Sequence, residues 1–189
     1  MMLSSEADVI KIIEEDVWMM TILRAAKSLH LPDWWICAGF VRSKIWDCLH
    51  NFSQRTPLPD IDVIYFDESC IEESMEKELE KELNNIIPHV PWSVKNEARM
   101  HRVNGISPYT SSVDAISKFP ETATALGVKL DQNDRLLLTY PCGLEDVINM
   151  RVKPTSFFIE TEEKRAIFNI RMKQKDWIAT WNRVEYVCV

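Results

Sequence analysis

Residues 34–67 read WWICAGFVRSKIWDCLHNFSQRTPLPDIDVIYFD. One apolar run ends at Gly39, a basic residue, Arg42, stands just beyond it, and a second apolar run opens with Asp60, Ile61 and Asp62. Both runs are strand-length, and a helix-length segment and two prolines separate them, so this stretch commits the chain to a sheet. Alternate side chains of a strand share a face. Asp60 and Asp62 therefore point the same way, close enough for one divalent cation to sit between their carboxylates. Two hard oxygen ligands at a strand start, with a glycine turn nearby, are what magnesium-dependent phosphoryl transfer requires.

The flanking segments fit around these strands. Ser5, Glu6 and Asp8 open a helix with acid in its first turn, and Ile10, Ile13, Val17 and Met20 step along it until Pro32. Residues 34–38 are wholly apolar and suit a strand buried on both faces. Residues 40–49 read as helix, with Val41, Ile45 and Leu49 spaced by four, and residues 60–66 as the second strand. Ile71, Met75, Leu79, Leu83 and Ile86 form one helical stripe, with Glu and Lys on the other faces. Residues 92–100 alternate as a strand, with Glu97 on the polar face beside Lys95 and Arg99. NGISPYTSS, residues 104–112, is a loop by its turn chemistry. Ser112 is placed to cap a short helix, and Pro120 to start another that Gly127 ends. Residues 128–130 and 136–140 read as strands, and residues 144–150 and 162–184 as helices. The order α-β-α-β-α-β, then a more helical half, predicts an α+β (α/β) domain with a mixed sheet flanked by helices. Residues 1–112 form the expected core, and residues 113–189 a mainly helical C-terminal extension packed on it.

Hydrophobic residues make up 46% of the 189, enough for one domain with a sizeable core. The glycines number only four, which argues against a Gly-rich phosphate loop and against a dinucleotide fingerprint. A net charge of −7 disfavours a long nucleic-acid partner, which needs clustered Lys and Arg. The charge is uneven: residues 1–150 hold 14 basic against 24 acidic side chains, and residues 151–189 hold 8 against 5. Five cysteines without C-x-x-C spacing fit free thiols in a reducing cytoplasm. The N-terminus turns acidic where a signal peptide would be apolar, and no run approaches the length of a membrane span. A cytoplasmic protein is expected.

Taken together, AGFVRSKIWD and LPDIDVIYFD resemble the nucleotidyltransferase fold of the polymerase-beta superfamily. AGFVRS is similar to the Gly-Gly-x-Val-Arg-Asp segment of the CCA-adding and poly(A) polymerase branch. The wider chain resembles a bacterial nucleotidyltransferase-like family through WSVKNEARMH, NGISPY, FPETATALGVKL, PCGLEDV and the Arg171, Lys175, Trp177 and Trp181 tail, in that order. The resemblance implies a nucleotide-binding turn at Gly39 and Phe40, with Phe40 standing where the family has a small residue. It implies Mg2+ (or Mn2+) held by Asp60 and Asp62 on the nucleotide phosphates. A third carboxylate, for which Glu97 is the candidate, would complete the site and help deprotonate the attacking hydroxyl. The implied reaction transfers a nucleoside monophosphate from an NTP to an acceptor and releases pyrophosphate.

The same residues have plainer readings. Asp60 and Asp62 suit a solvated strand start, and Asp67 a helix N-cap. Glu97 suits a cross-strand ion pair. Arg42 either reaches a phosphate or braces the acidic strand. Asn104, Tyr109 and Ser111 lie on a polar loop that could face the acceptor. The leading expectation is a metal-dependent nucleotidyltransferase acting on a small-molecule or protein hydroxyl. One alternative is a weak or inactive nucleotide-binding regulatory module. Another is a protein-interaction module with the basic, Trp-containing C-terminal helix as its contact surface, which exposure of Trp177 and Trp181 would support.

Overall fold

The computed structural model describes residues 3–187, which leaves Cys188 outside the described residues. It opens with α1 (Glu6–Glu14) and α2 (Val17–Ser28). The hydrophobic spacing predicts one helix here. Asp16 divides it, because its carboxylate accepts the Met19 amide at 3.1 Å and caps α2. β1 (Trp35–Cys37) is buried along its whole length and leads into α3 (Gly39–Leu49). The backbone reversal between them falls on Ala38, at φ 53°, and not on the glycine.

β2 (Ile61–Tyr65), α4 (Glu73–Ile86) and β3 (Trp92–Asn96) form a right-sized crossover unit, with β2 and β3 parallel. The strand expected over residues 92–100 ends at Asn96. The Asn96 side-chain oxygen accepts the Ala98 amide at 3.1 Å and starts α5 (Glu97–Asn104), so Glu97 opens a helix. In α4, Leu79 and Leu83 are buried as the stripe predicts, but Met75 and Ile86 are exposed and Glu76 is fully buried. Asp67 does not cap α4; its carboxylate folds back on the amide and hydroxyl of Ser69.

Beyond α5 come α6 (Ser112–Ser117), a 3-10 turn (Thr122–Thr124), β4 (Gly127–Leu130) and β5 (Leu136–Thr139). Ser111, not Ser112, caps α6. Gly127 opens a strand instead of ending a helix. A β-carbon there would lie 3.0 Å from Cys37 Sγ, so the close approach of β4 to β1 needs glycine. The rest comprises α7 (Glu145–Ile148), β6 (Arg151–Val152), α8 (Ser156–Ile159), α9 (Glu162–Gln174), α10 (Trp177–Thr180) and β7 (Glu185–Tyr186). The long helix expected over residues 162–184 is thus α9 and α10, broken by residues 175 and 176.

The main sheet has the order β3-β2-β1-β4-β5, with three antiparallel pairings and one parallel, so it is mixed as predicted. Three of its strands precede residue 113 and two follow it. Ile36, Ile61, Val63 and Val94 point to one face and join a core with Ile13, Ile22, Val41, Ile45 and Leu83 from α1 to α4. Trp35, Cys37, Asp62, Ile64, Ser93 and Lys95 share the other face by strand register. There a smaller cluster joins Trp35, Cys37 and Ile64 to Ile116 of α6.

The C-terminal segment docks on α3. Trp177 and Trp181 pack edge-on against Trp46, with centroids 5.7 and 5.2 Å away, and Trp181 Nε1 donates to Asp47 at 2.8 Å. Both indoles are buried, at 8% and 3% exposure, which removes the exposed-tryptophan contact surface of the interaction-module reading. Among the described residues, no helix is long and apolar enough to cross a membrane.

Candidate active site

The second face of the sheet opens into a cavity of about 420 Å³. Asp62 and Ile64 of β2 and Lys95 of β3 line it from the sheet, and Glu97 lines it from the start of α5. Ala38 brings the N-terminal end of α3 to its edge, where the helix dipole favours anions. Lys164 and Arg171 of α9 close it from across, with apolar walls from Phe119, Phe157 and Phe158. A second hollow of about 200 Å³ lies around Asp16, where ion pairs with Lys44 and Arg55 already balance its charge.

The carboxylates at the sheet are electrostatically uncomfortable. Burial, and then the Asp60 carboxylate, push the Asp62 carboxyl up to about 6, against the pull of a Ser93 hydrogen bond and of Lys175 and Arg171. Burial, and then the charges of Glu76 and Asp62, push Glu97 up to about 8. The cations that sequence spacing offers to Glu97 go elsewhere. Lys95 and Arg99 pair with the buried Glu76, at 3.5 and 2.9 Å, and Glu76 also accepts the Asn96 amide at 3.0 Å. Among the described residues, Asp60, Asp62 and Glu97 form no ion pair within 4.0 Å, while every close pairing is taken by other carboxylates.

Hard oxygen donors at the start of one strand, without a close ion pair among the described residues, fit a divalent cation. The fit rests on Asp60 and Asp62. Among the described residues, no three His, Cys, Asp or Glu side chains stand together in metal-holding geometry. Cys37 is buried, and burial with the charges of Asp62 and Glu97 drives its thiol well up, so it is no nucleophile.

The other candidates divide between cavity and interior. Gly39 is half-buried at the start of α3, and a β-carbon there would meet nothing closer than Arg42 Nη2 at 3.9 Å. Phe40 is 1% exposed and packs on Trp18 at 6.0 Å, so its bulk goes into the core and not into the turn. Arg42 is buried in a cage of three indoles, its guanidinium carbon 5.0, 4.5 and 5.1 Å from the rings of Trp46, Trp177 and Trp181. Its Nη2 donates to Ser43 Oγ at 2.9 Å, and burial lowers its pKa to about 10. It forms no ion pair with the acidic strand and does not line the cavity. Asn104 and Tyr109 do line it, joined by a 3.0 Å bond from the Asn104 amide to the Tyr109 hydroxyl. Ser111 is spent on capping α6, where its hydroxyl accepts the Asp114 amide at 3.0 Å.

Sequence reasoning missed two residues beside the cavity. Glu76 sits in a run of Glu and Lys and looks solvated, yet it fixes both sides of Glu97 through Asn96 and Arg99. Arg171 belongs to the C-terminal motif, but its sequence surroundings point to no partner. In the structure it lines the cavity and pairs with the fully buried Glu121.

A mixed five-stranded sheet flanked by helices is the fold of the nucleotidyltransferases of the polymerase-beta and CCA-adding superfamily. The sequence model of a family described as Nucleotidyltransferase matches residues 24–186, and the chain belongs to that family. An NMR structure described as revealing a CCA-adding enzyme head domain is 34% identical, with a TM-score of 0.87, over 99% of this chain and 98% of its own. A CCA-adding enzyme solved with CTP is 15% identical with a TM-score of 0.57, over 95% of this chain and 43% of its own. The Thermotoga maritima CCA-adding enzyme complexed with tRNA is also 15% identical, with a TM-score of 0.55, over 96% of this chain and 42% of its own. These two show the fold alone, and the chain spans about two fifths of their length. No protein of curated function matches the sequence.

Proposed function

We propose that this protein transfers a nucleoside monophosphate from an NTP to the hydroxyl of a small molecule or of a protein side chain, with Mg2+ or Mn2+. The observation that carries the reading is the pair of carboxylates Asp62 and Glu97, which line the cavity of a nucleotidyltransferase fold without an ion pair within 4.0 Å, with Asp60 just before β2 beside them. Asp60 and Asp62 would hold the cation, which when bound neutralises the nucleotide phosphates. Ala38 and Gly39 turn the N-terminal end of α3 toward those phosphates. Once deprotonated, above about 8 in the metal-free protein, Glu97 Oε would take the proton from the acceptor hydroxyl as that oxygen bonds the α-phosphorus. The bond from the α-phosphorus to the bridging oxygen breaks, and pyrophosphate leaves with its electron pair. Asn104 and Tyr109 stand on the acceptor side of the cavity.

A polynucleotide acceptor is disfavoured by the net charge of −7. A second reading, binding of a nucleotide with little transfer, has one observation in its favour. Glu97 opens a helix, and among the described residues it does not join Asp60 and Asp62 in a three-carboxylate metal group.

Calorimetric titration of each NTP, with and without magnesium, into wild type and the Asp60→Asn/Asp62→Asn double variant tests the site. Metal-dependent binding that the double variant loses is expected. Absence of NTP binding by wild type would sink both readings. Pyrophosphate release in the presence of candidate acceptors separates them: steady release abolished by Asp62→Asn supports transfer, and binding without release supports the module.

A further inference from the structure

We propose that the cavity-facing side of α9, Arg171 with Lys164, grips the phosphate chain of the bound nucleotide, an inference that rests on the nucleotidyltransferase reading above. A triphosphate in this cavity needs cations, and the chain as a whole is acidic. Arg42, the cation that the sequence offers, is enclosed by Trp46, Trp177 and Trp181 and does not reach the cavity. Lys95 pairs with Glu76. Lys118 is held by both oxygens of Asp114, at 2.7 and 2.8 Å.

The other two cavity cations both lie on α9, and each meets one carboxylate, Glu160 for Lys164 and Glu121 for Arg171. Lys164, Ile167 and Arg171 recur at helical spacing and line the cavity together, while Phe168 on the adjoining face anchors the helix in the core. Lys164 lies over the Phe157 ring, 3.4 Å from its centroid, with a single carboxylate oxygen of Glu160 at 2.6 Å. Arg171 Nε donates to Glu121, and its Nη2 stands 3.5 Å from the second Glu121 oxygen. A guanidinium carries five N–H donors, so the Nε edge is engaged and the far edge stays available. The Arg171 side chain is 36% exposed, whereas Glu121 is fully buried and also held by Thr124 Oγ1 at 2.7 Å. A fork fixed on one edge by a buried carboxylate presents its other edge in a set orientation, which suits bidentate binding of phosphate oxygens. Glu121 is then a positioning residue for Arg171.

The test uses the full chain and two probes, inorganic tripolyphosphate and an NTP, with the parent nucleoside as control, each titrated calorimetrically with magnesium. Removal of the Arg171 side chain would strand Glu121, so the variants are Arg171→Lys, which keeps the charge but loses the fork, and Lys164→Gln, which leaves Glu121 paired. Lys173→Gln, an exposed cation of the same helix outside the cavity, is the reference. Arg171→Lys is expected to weaken both phosphate probes by roughly tenfold, and Lys164→Gln by roughly threefold. Nucleoside binding and the Lys173→Gln variant should stay at wild-type levels. Wild-type affinity for both phosphate probes in both variants would overturn the proposal and leave the nucleotidyltransferase reading standing. Tripolyphosphate binding that depends on Arg171, without binding of any NTP, would keep the phosphate grip and remove the nucleotide.

Discussion

Two faces of one sheet are made by alternate residues of the same strands, and they obey opposite rules. On the helix-covered face, Ile36, Val63 and Val94 are fully buried and join an apolar cluster with residues of α1 to α4. On the open face, Asp62 lies between Ile61 and Val63 in the chain, yet it meets the charges of Asp60 and Glu97, with Lys175 and Arg171 only as weaker, more distant cations. The first face gains free energy from apolar burial; the second holds like charges that protonation or an added cation relieves. Stability and chemistry are therefore separated by a single step along a strand, and substitutions on the two faces should move them in opposite directions.

The largest effect is expected from Trp46→Ala. Its ring is fully buried, its Nε1 donates to the Val147 carbonyl at 2.9 Å, and it is one wall of the Arg42 cage. Urea unfolding should show a loss of about 3–5 kcal/mol. A loss below about 1 kcal/mol would mean that the docking of α10 on α3 contributes little. Asp62→Asn should do the reverse on the open face. Pyrophosphate release should fall by about 100-fold or more, while the melting temperature in metal-free buffer rises because a repelled, half-buried charge is gone. A simultaneous fall in melting temperature would break the contrast between the faces.

The pH dependence sharpens it. In the fold, Glu97 keeps its proton up to about 8, whereas in the unfolded chain it releases it near the ordinary 4.5. Between these values the folded state binds the extra proton, so stability falls as pH rises through that window and is level outside it. Asp62 adds to the fall in the lower part, between its ordinary 3.8 and about 6. Thermal melts in metal-free buffer from pH 4 to 9 should show this decline, and Glu97→Gln should flatten its upper half. An unchanged slope in that variant would refute the assignment to Glu97. The smallest effect is expected where β4 meets β1: Gly127→Ala brings a β-carbon within 3.0 Å of Cys37 Sγ and 3.4 Å of the Ile36 carbonyl, for a cost of about 1–3 kcal/mol in the same urea assay.

Local patterns reveal the sheet better than its surroundings. The apolar run of β1 and the Asp60-Ile61-Asp62 start of β2 were readable because burial and alternation are properties of neighbouring residues. Two misread boundaries also carried local signals. Asp16 and Asn96 are both good helix caps, and each ends a pattern that hydrophobic spacing alone carries onward. The cage of Arg42 had no such signal, since Trp177 and Trp181 close it from more than 130 residues away. Nor did the burial of Glu76, whose partners Asn96 and Arg99 come from the next strand and helix. Around the candidate site the missing knowledge was therefore mostly about which cation each carboxylate meets, and that is decided by tertiary packing.

The central strand has a consequence for synthesis. Ile36 of β1 pairs with Val63 on one side and with Val128 on the other, so one edge of the most apolar segment waits for a partner about 90 residues later in the chain. At about 5–20 residues per second, a ribosome leaves that edge open for roughly 5–20 s. Until β4 emerges, WWICA is an unpaired apolar edge of the kind that templates aggregation. What shelters the nascent chain during that interval therefore bears on its yield in a cell, beside the stability of the finished fold.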